Sequence, residues 1–316
     1  MSELREVASG LRFPEGPIAM PDGSVLLVEI ERGTLSRVGV DGTVEVVADL
    51  GGGPNGAAIG PDGCCYVCNN GGFAWHHDPI GPRPVAQADD YSGGRIERVD
   101  LATGAVEVLY RACGDIALKG PNDIVFDDHG GFWFTDLGKA RRHDQDRGRV
   151  FYARADGSEI REVVWPLVTP NGIGLSPDGS RLYVAETATG RVWQFEVEAP
   201  GVIRPEPWPS PNGGTLLAGL PGYQNLDSLA VDAAGNVCVA TLMNGGITVV
   251  SPDGASIEHI AMPDLYTTNI CFGGPELRTA YVTLSQSGRL VSMQWPRPGL
   301  ALPYLNRPPR ADVSAR

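Results

Sequence analysis

The sequence predicts an all-β protein, a six-bladed β-propeller with four antiparallel strands in each blade. Three observations lead to this prediction. One short motif recurs six times, each copy has the pattern of two apolar strands joined by a turn, and a second strand pair that begins at a glycine follows each copy. We expect residues 1–316 to form a single domain, since closed β architectures often run past ~200 residues.

The recurring motif places an oxygen-bearing side chain just ahead of an apolar run. TPNGIGLSPDGSRLYVAE at residues 169–186 and KGPNDIVFDDHGGFWFTD at residues 119–136 carry an asparagine at the same phase, 49 residues apart. A Pro-Asp-Gly turn or its equivalent usually separates two apolar runs, which favours a hairpin because glycine readily adopts positive φ. Across the six copies the position is held by Glu15, Asn55, Asn122, Asn171, Asp227 and Asn269.

The second strand pair of each repeat completes a blade. Its first glycines are Gly33, Gly94, Gly148, Gly190, Gly246 and Gly288. The opening LREVASGLRFPEG resembles the end of a blade and its exit, so we expect residues 4–8 to form a strand that completes the last blade and closes the ring. The tail segment GLALPYL competes for the same place.

Composition and charge exclude several function classes. The 42 glycines and 26 prolines suit many short strands and turns, and no apolar run approaches the ~20 residues that span a bilayer. A formal net charge of −13 argues against nucleic acid and anionic membranes as partners. The first residues lack the apolar core of a signal peptide, so we expect a cytoplasmic monomer or homodimer.

The six cysteines are expected to be reduced thiols, because nothing indicates export to an oxidising compartment. Cys65 and Cys68 have the spacing of a metal or redox pair, yet residues three apart on a strand point to opposite faces. We therefore expect Cys64, Cys65 and Cys68 to be buried as small hydrophobic side chains.

The recurring polar position predicts a cation site. The first strand of each propeller blade lines the central channel, so the six residues should converge near its axis. One such residue alone is explained by local backbone hydrogen bonds at a loop-to-strand junction. Six such residues at the same position of each repeat, with no Ser, Thr or Gly among them, favour a common functional role. Carboxylate and amide oxygens suit one divalent cation, Ca²⁺ first and then Mg²⁺ or Mn²⁺, with Zn²⁺ and Fe²⁺ as further alternatives.

The motifs RFPEGP, GPNDIVFD, TPNGIGLSPDG and DSLAVDAAGN resemble those of the gluconolactonase, senescence marker protein (SMP-30, regucalcin) and luciferin-regenerating enzyme family. The resemblance covers nearly the whole chain and extends to drug-responsive lactonase and diisopropyl fluorophosphatase. It implies a six-bladed propeller that holds one divalent metal at the top of the channel and hydrolyses lactones. By motif, Glu15, Asn171 and Asp227 match metal ligands. Asn122 matches an asparagine that binds metal in some members and substrate in others.

Two features of the sequence lie outside that correspondence. The prediction that Asn55 and Asn269 lie near the metal depends only on their positions in the repeats. Sugar-lactonase members often carry an arginine two residues before the equivalent of Asn122, where it holds substrate hydroxyls, and this chain has Gly120 instead. An aldonolactone substrate is therefore in doubt, and GPND is more similar to the drug-responsive lactonase type.

The loops that follow each second strand should open on the metal side. The longest is NNGGFAWHHDPIGPRPVAQADDY, which contains Phe73, Trp75, His76 and His77. This loop either packs on its own aromatic side chains or forms an apolar wall with a proton shuttle over the metal. The next loop carries a basic cluster that consists of Lys139, Arg141, Arg142 and His143. We expect these side chains to be solvated on the surface. Alternatively, they attract an anionic substrate.

The leading function hypothesis is a metal-dependent lactonase acting on a small-molecule lactone. Its cation polarises the ester carbonyl and steadies the oxyanion. Asp227 is the best candidate for the base or the nucleophile, with His76 or His77 as alternative bases. A rival enzyme hypothesis is hydrolysis of phosphotriesters or other activated esters at the same metal. A hypothesis of another class is a non-catalytic propeller that binds Ca²⁺ or a partner protein.

Overall fold

The computed structural model describes residues 3–307, and every regular element in that range is a β-strand. The strands form six blades, and the first strand of each blade contacts the first strands of both neighbouring blades. The first strand of the sixth blade contacts that of the first, so the ring is closed. The six-bladed propeller predicted from the repeats is therefore confirmed.

The blades follow one another along the chain with the same strand order from the channel outward. Blade 1 contains Pro14–Ala19, Val25–Glu29, Thr34–Val38 and Val44–Asp49. Blade 2 contains Pro54–Ile59, Cys65–Asn69, Arg95–Val99 and Val106–Tyr110. Blade 3 contains Pro121–Phe126, Gly131–Asp136, Gly148–Arg154 and Ile160–Leu167. Blade 5 contains Asn225–Val231, Val237–Leu242, Gly246–Val250 and Ile257–Ala261.

Blade 6 combines strands from opposite ends of the described chain. Its inner strands are Thr267–Gly273, Thr279–Leu284 and Arg289–Gln294, and its outer strand is Arg5–Ala8. Arg5 pairs with Ser292 in antiparallel register, which confirms the expected closing strand. The competing segment GLALPYL instead crosses the far face of the ring, where the Tyr304 ring packs edge-on against Phe126.

Blade 4 departs from the expected four strands because its outer strand is split. The inner strands are Pro170–Leu175, Arg181–Glu186 and Arg191–Ala199, and both Val202–Arg204 and Thr215–Gly219 pair with the last of these. Residues 205–214 form a loop between the two outer pieces. This loop contains several prolines, which lack the N–H that a continuous strand would donate.

Four short strands lie outside the blades. Phe73–Asp78 and Gly81–Gln87 pair as a hairpin between the second and third strands of blade 2, and Ala112–Cys113 pairs with Ile116–Ala117. The longest metal-side loop predicted from the sequence is therefore partly a β-hairpin. The two prolines of Gly81–Gln87 suit a two-stranded sheet, in which N–H groups can face away from the partner strand.

Apolar side chains pack between neighbouring blades. Cys65 packs between blades 1 and 2, whereas Cys68 packs on the other face between blades 2 and 3. Both side chains have no exposed surface, and Cys64 is 7% exposed, so the prediction of buried, unpaired thiols is confirmed. Burial raises the pKa of the Cys65 thiol to about 12, which keeps it protonated and unreactive.

A layer of polar side chains divides the central channel near one face of the ring. This polar layer consists of the six recurring residues Glu15, Asn55, Asn122, Asn171, Asp227 and Asn269. On the far side of that layer the channel widens into a cavity of about 440 Å³, lined by apolar residues such as Ile18, Leu229 and Phe272 and crossed by the segment from Leu300 to Leu305. No helix capable of crossing a membrane occurs within residues 3–307. The cytoplasmic location stays a prediction.

Candidate metal centre

A repeated bulge directs the six recurring side chains toward the axis. In every blade the pairing of the first and second strands shifts register at the start of the first strand, for example between Glu15 and Ile18 and between Leu226 and Leu229. A bulge changes which face a side chain points to and increases local twist. The bulge therefore accounts for the constant phase of the polar position in the sequence.

The polar layer is closely packed because glycine follows the recurring residue in three blades. A Cβ atom on Gly16 would lie 2.6 Å from the backbone oxygen of Asn55, and one on Gly56 would lie 2.4 Å from that of Asn122. Likewise a Cβ on Gly172 would lie 2.7 Å from the backbone oxygen of Asp227. Neighbouring blades thus approach one another at the level of the site, which holds the layer rigid.

Glu15 lies buried in this layer with one carboxylate oxygen held and the other unpaired. Asn269 donates its side-chain amide to Glu15 Oε2 at 2.7 Å, and the buried Glu15 Oε1 has no hydrogen-bond partner within residues 3–307. Burial first, and then the charge of Asp227, raise the pKa of Glu15 well above its usual range. The carboxylate is therefore destabilised as an anion and suited to a positive charge beside it.

Asp227 and Asn171 form the opposite side of the layer. Burial raises the pKa of Asp227 to about 7, while a hydrogen bond with Asn171 lowers it. Asn171 Nδ2 donates to Thr187 Oγ1 at 3.1 Å, and Asn171 Oδ1 accepts from Ser228 Oγ at 3.4 Å, so both ends of the amide are oriented. Asp227 is half-buried, so one edge of the site remains open to solvent.

The remaining predicted ligand, Asn122, is buried with its Oδ1 unpaired within the described part of the chain. Asn55 is also buried in the layer, but its side chain has no established bond to the two carboxylates. Asn269 uses both ends of its amide, since its Oδ1 accepts from the backbone N–H of Ile270 at 2.7 Å. Asn269 is therefore placed to orient Glu15.

Sequence reasoning missed one buried carboxylate, Asp123. Its side chain accepts backbone N–H groups of Ile173 at 3.1 Å and of Ile124 at 2.9 Å, and its charge raises the pKa values of both Glu15 and Asp227. Burial raises the pKa of Asp123 itself to about 7. The available signal was its phase, because this acid occupies the position that glycine holds in three other blades.

The donor set fits a hard divalent cation. Two buried oxygens that have no hydrogen-bond partner among the described residues, Glu15 Oε1 and Asn122 Oδ1, belong to candidate ligands. Two carboxylates and two amides offer oxygen only, the chemistry that Ca²⁺ and Mg²⁺ prefer. Within residues 3–307 no three His, Cys, Asp or Glu side chains group closely enough to hold a metal by themselves, so the amides are needed.

The predicted histidines lie away from the polar layer. His76 and His77 are on the hairpin with side chains 51% and 61% exposed, and His77 Nε2 lies 2.6 Å from Glu31 Oε1. Their polar partners are therefore Asp78 and Glu31. Any part of these histidines in catalysis stays a prediction.

The aromatic side chains of the hairpin pack toward blade 1. They line one side of the mouth, which is the opening of the channel on the side of the polar layer. The rings of Trp75 and Phe13 are 5.0 Å apart, and those of Phe13 and Tyr266 are 6.0 Å apart. Phe73 packs edge-on to Trp75 at 6.4 Å. Phe13 is two residues before Glu15, so this aromatic group borders the candidate metal centre.

The basic cluster differs from the expected solvated charge run. Lys139 is 1% exposed, and Arg141 pairs with Asp144 and Asp146. Only Arg142 and His143 are exposed to solvent as predicted. The prediction was wrong for Lys139 because the loop folds back across the base of the hairpin and covers this side chain.

Gly120 marks a place where a side chain is sterically excluded. A Cβ atom there would lie 2.4 Å from the backbone oxygen of Gly138. Gly120 also donates its N–H to Asp136 Oδ1 at 2.7 Å, which fixes the connection between blades. The space that an arginine would need is thus filled by backbone.

Comparison with known proteins agrees with this architecture. The pattern of the SMP-30/gluconolactonase/LRE-like region matches residues 13–286. The gluconolactonase of Zymomonas mobilis is 26% identical, with 85% of this chain and 76% of that protein covered. The lactonase drp35 of Staphylococcus haemolyticus is 29% identical, with 79% of this chain and 69% of that protein covered.

One solved structure shares the fold over nearly its full length. It is a calcium-binding protein, regucalcin, from Agrobacterium tumefaciens. The TM-score is 0.74 at 19% sequence identity, with 97% of this chain and 98% of that chain covered. This likeness supports the propeller fold.

Proposed function

The chain belongs to the SMP-30/gluconolactonase/LRE-like family, and on that premise we propose that it is a divalent-metal-dependent lactonase acting on a small lactone. The names of the curated relatives, a gluconolactonase and a lactonase, support this reaction class. The observation that carries the proposal is the polar layer. Burial raises the pKa values of Glu15 and Asp227 there, and two candidate ligand oxygens have no hydrogen-bond partner among residues 3–307.

The proposed metal ligands are Glu15, Asn122, Asn171 and Asp227. The bound cation would supply Lewis-acid polarisation of the lactone carbonyl. Glu15 and Asp227 together nearly neutralise a divalent charge, and the all-oxygen donor set suits Ca²⁺, with Mg²⁺ as the alternative. Asn269 keeps Glu15 in one orientation, so the carboxylate needs no rearrangement when the site is loaded.

Asp227 is the proposed general base. Unlike the buried Glu15, it is only half-buried, so water can reach it. Its carboxylate takes a proton from the attacking water as the new C–O bond forms. It then returns that proton to the ring oxygen as the lactone C–O bond breaks, and a hydroxy acid is released. Asn171 stabilises the anionic form of Asp227 through their hydrogen bond.

Asn122 has the second proposed catalytic role, in positioning the substrate carbonyl beside the layer. Its buried position on the first strand of blade 3 and its fixed backbone suit this role. Orientation of a reacting group by a rigid element can contribute several kcal/mol to catalysis. The aromatic group of Phe13, Trp75 and Tyr266 would bind the apolar part of the lactone.

The decisive experiment is a panel of lactones and activated esters assayed after chelation and after adding back single metal ions. The proposal expects lactone turnover that chelation abolishes and that Ca²⁺ or Mg²⁺ restores. If phosphotriesters are hydrolysed and lactones are not, the proposed substrate class changes from lactones to phosphotriesters. If no member of the panel reacts with any divalent ion, a non-catalytic propeller that binds Ca²⁺ or a partner protein becomes the better hypothesis.

A further inference from the structure

Lys139 is a buried lysine whose ammonium group forms no direct ion pair within residues 3–307. Its side chain is 1% exposed, and the charge of the buried Asp136 acts on it from beyond ion-pair distance and only partly offsets the effect of burial. Lysine is rarely fully buried unless its charge is matched. Burial lowers the pKa of Lys139 to about 7, because the charged ammonium group is destabilised away from water. The presence of a lysine at such an unfavourable position calls for a structural reason.

The closest contacts of the Lys139 ammonium group lie at one place, the start of the hairpin. Nζ donates to Asn70 Oδ1 at 2.8 Å and to the backbone oxygen of Gly72 at 2.9 Å. The same nitrogen lies 4.0 Å from the centre of the Phe73 ring, a favourable position for a cation over an aromatic face, and 5.3 Å from that of Tyr91. Both hydrogen bonds and the shorter ring contact are therefore made to residues 70–73.

Residues 71 and 72 have the backbone of a hinge. Gly71 and Gly72 adopt φ values of 81° and 119°, a region that other residues rarely enter. They join the second strand of blade 2 to the hairpin, so small changes in their dihedral angles would swing the whole hairpin. The other leg is held by the same loop, since the Gln87 N–H donates to the Ala140 oxygen at 2.9 Å.

The hairpin direction determines what borders the mouth. Its Trp75 ring packs on Phe13, two residues before Glu15. Its tip reaches blade 6, where a Cβ atom on Gly81 would lie 2.3 Å from the Gln286 oxygen. The pKa of Tyr266 is raised by burial and is also affected by the charges of Arg83 on the hairpin and of Asp227. Hairpin and polar layer thus share a neighbour.

We propose that Lys139 is a positioning residue that fixes the two-glycine hinge, so that the hairpin stands as the substrate-binding wall of the mouth. Blade 3 thereby controls an element that extends from blade 2 and reaches blades 1 and 6. The wall binds the non-reacting part of the substrate, so Lys139 influences which lactones bind well. The substrate-binding part of this inference rests on the proposed function, whereas the hinge part does not.

The test uses the full chain loaded with Ca²⁺ and the substitution Lys139→Met, which keeps length but removes the donors. Hydrogen exchange should quicken in the amides of residues 73–87 and stay unchanged in the blades. The matched control is Lys119→Met, because the Lys119 side chain is half-exposed and pairs with Asp146 at 2.9 Å without contacting the hairpin base. Asn70→Ala, which removes one acceptor, provides a second variant with the same expected effect.

With a lactone that the unmodified protein hydrolyses, Lys139→Met should raise KM several-fold and leave kcat nearly unchanged, as expected when only uniform binding is lost. Unchanged hydrogen exchange in both hairpin variants would overturn the hinge assignment. Faster exchange with unaltered KM would overturn the role of the wall in substrate binding. If the unmodified protein hydrolyses no lactone, the proposed function fails, while the exchange measurement still decides the hinge.

Discussion

Asn269 donates its amide to one oxygen of Glu15 at 2.7 Å, and the other, buried oxygen of that carboxylate has no hydrogen-bond partner in the described part of the chain. Two blades that are adjacent in space and far apart in sequence thus build one half of the candidate metal centre. The free oxygen defines the direction from which a cation would approach. Asn269 fixes that direction, because rotation of the carboxylate would break its hydrogen bond.

Asn269→Ala should weaken Ca²⁺ binding about 10- to 100-fold, the usual effect of removing a group that orients a ligand. Glu15→Gln should weaken it further, since it removes one of the two ligand charges. Titration calorimetry of chelated protein would measure both. Asn55→Ala in blade 2 is the comparison variant and should change the affinity least. Equal affinities for Asn269→Ala and unmodified protein would contradict the orienting role.

The substitutions Asp227→Asn and Asn171→Asp should have different effects on turnover and on metal affinity. Asp227→Asn keeps an oxygen ligand and loses the base, so turnover at saturating metal should fall about 10²- to 10⁴-fold. Asn171→Asp keeps every oxygen and adds charge, so the metal should bind more tightly and activity should fall modestly. The measurement is lactone hydrolysis with metal titrated to saturation. Near-normal turnover of metal-replete Asp227→Asn would make Asp227 only a ligand and direct attention to His76 and His77.

Metal binding should depend on pH with a predictable sign. The pKa of Asp227 is raised to about 7 in the folded protein, compared with an ordinary value of 3.8. Between these values the folded state holds a proton that the unfolded state has released, so stability without metal falls as pH rises. A cation needs the ionised form, so its affinity should increase with pH up to about 7.

Thermal unfolding of chelated protein and Ca²⁺ titration, each at several pH values, would check this linkage. Asp227→Asn should reduce the pH slope without abolishing it, because the pKa of Asp123 is also raised to about 7. A Ca²⁺ affinity that does not change between acidic and neutral pH would show that the carboxylates are already ionised before binding.

Gly120→Arg should destabilise the fold and should not create a binding site for sugar hydroxyls. The new Cβ would lie 2.4 Å from the Gly138 oxygen, an overlap that typically costs about 1–3 kcal/mol. Gly219→Arg is the matched control, because a Cβ there meets nothing within 4 Å, and its effect should stay within about 0.5 kcal/mol. Urea unfolding would measure both. Full stability with new aldonolactone activity in Gly120→Arg would refute the steric argument.

The polar position was predictable because a constant phase in the repeats corresponds to a constant bulge in the blades. Phase alone cannot assign a role to each copy. Asn269 bonds to Glu15, whereas the buried Asn122 oxygen has no partner within residues 3–307, and this difference depends on which residue the neighbouring blade supplies. Asp123 was overlooked for the same reason, since its partners include backbone groups of blades 4 and 5.

The elements outside the repeats were the least predictable. The segment with Phe73 and His77 contains glycines and prolines that indicate a loop, yet it pairs as a hairpin that contacts the loop of blade 3 at Ala140. Lys139 is followed closely by two arginines in sequence, which suggests a solvated face. Its burial follows from the path of a single loop, information that residue type and spacing do not contain.

The strand Arg5–Ala8 pairs with Arg289–Gln294 to complete blade 6. During synthesis, residues 5–8 must wait without their partner until nearly the whole propeller has left the ribosome. Ring closure is therefore a late event in folding, and blade 6 should be the last to gain protection. Contacts of such long sequence separation slow folding. Loss of residues 5–8 would leave the edge of Arg289–Gln294 unpaired and prone to association with other chains.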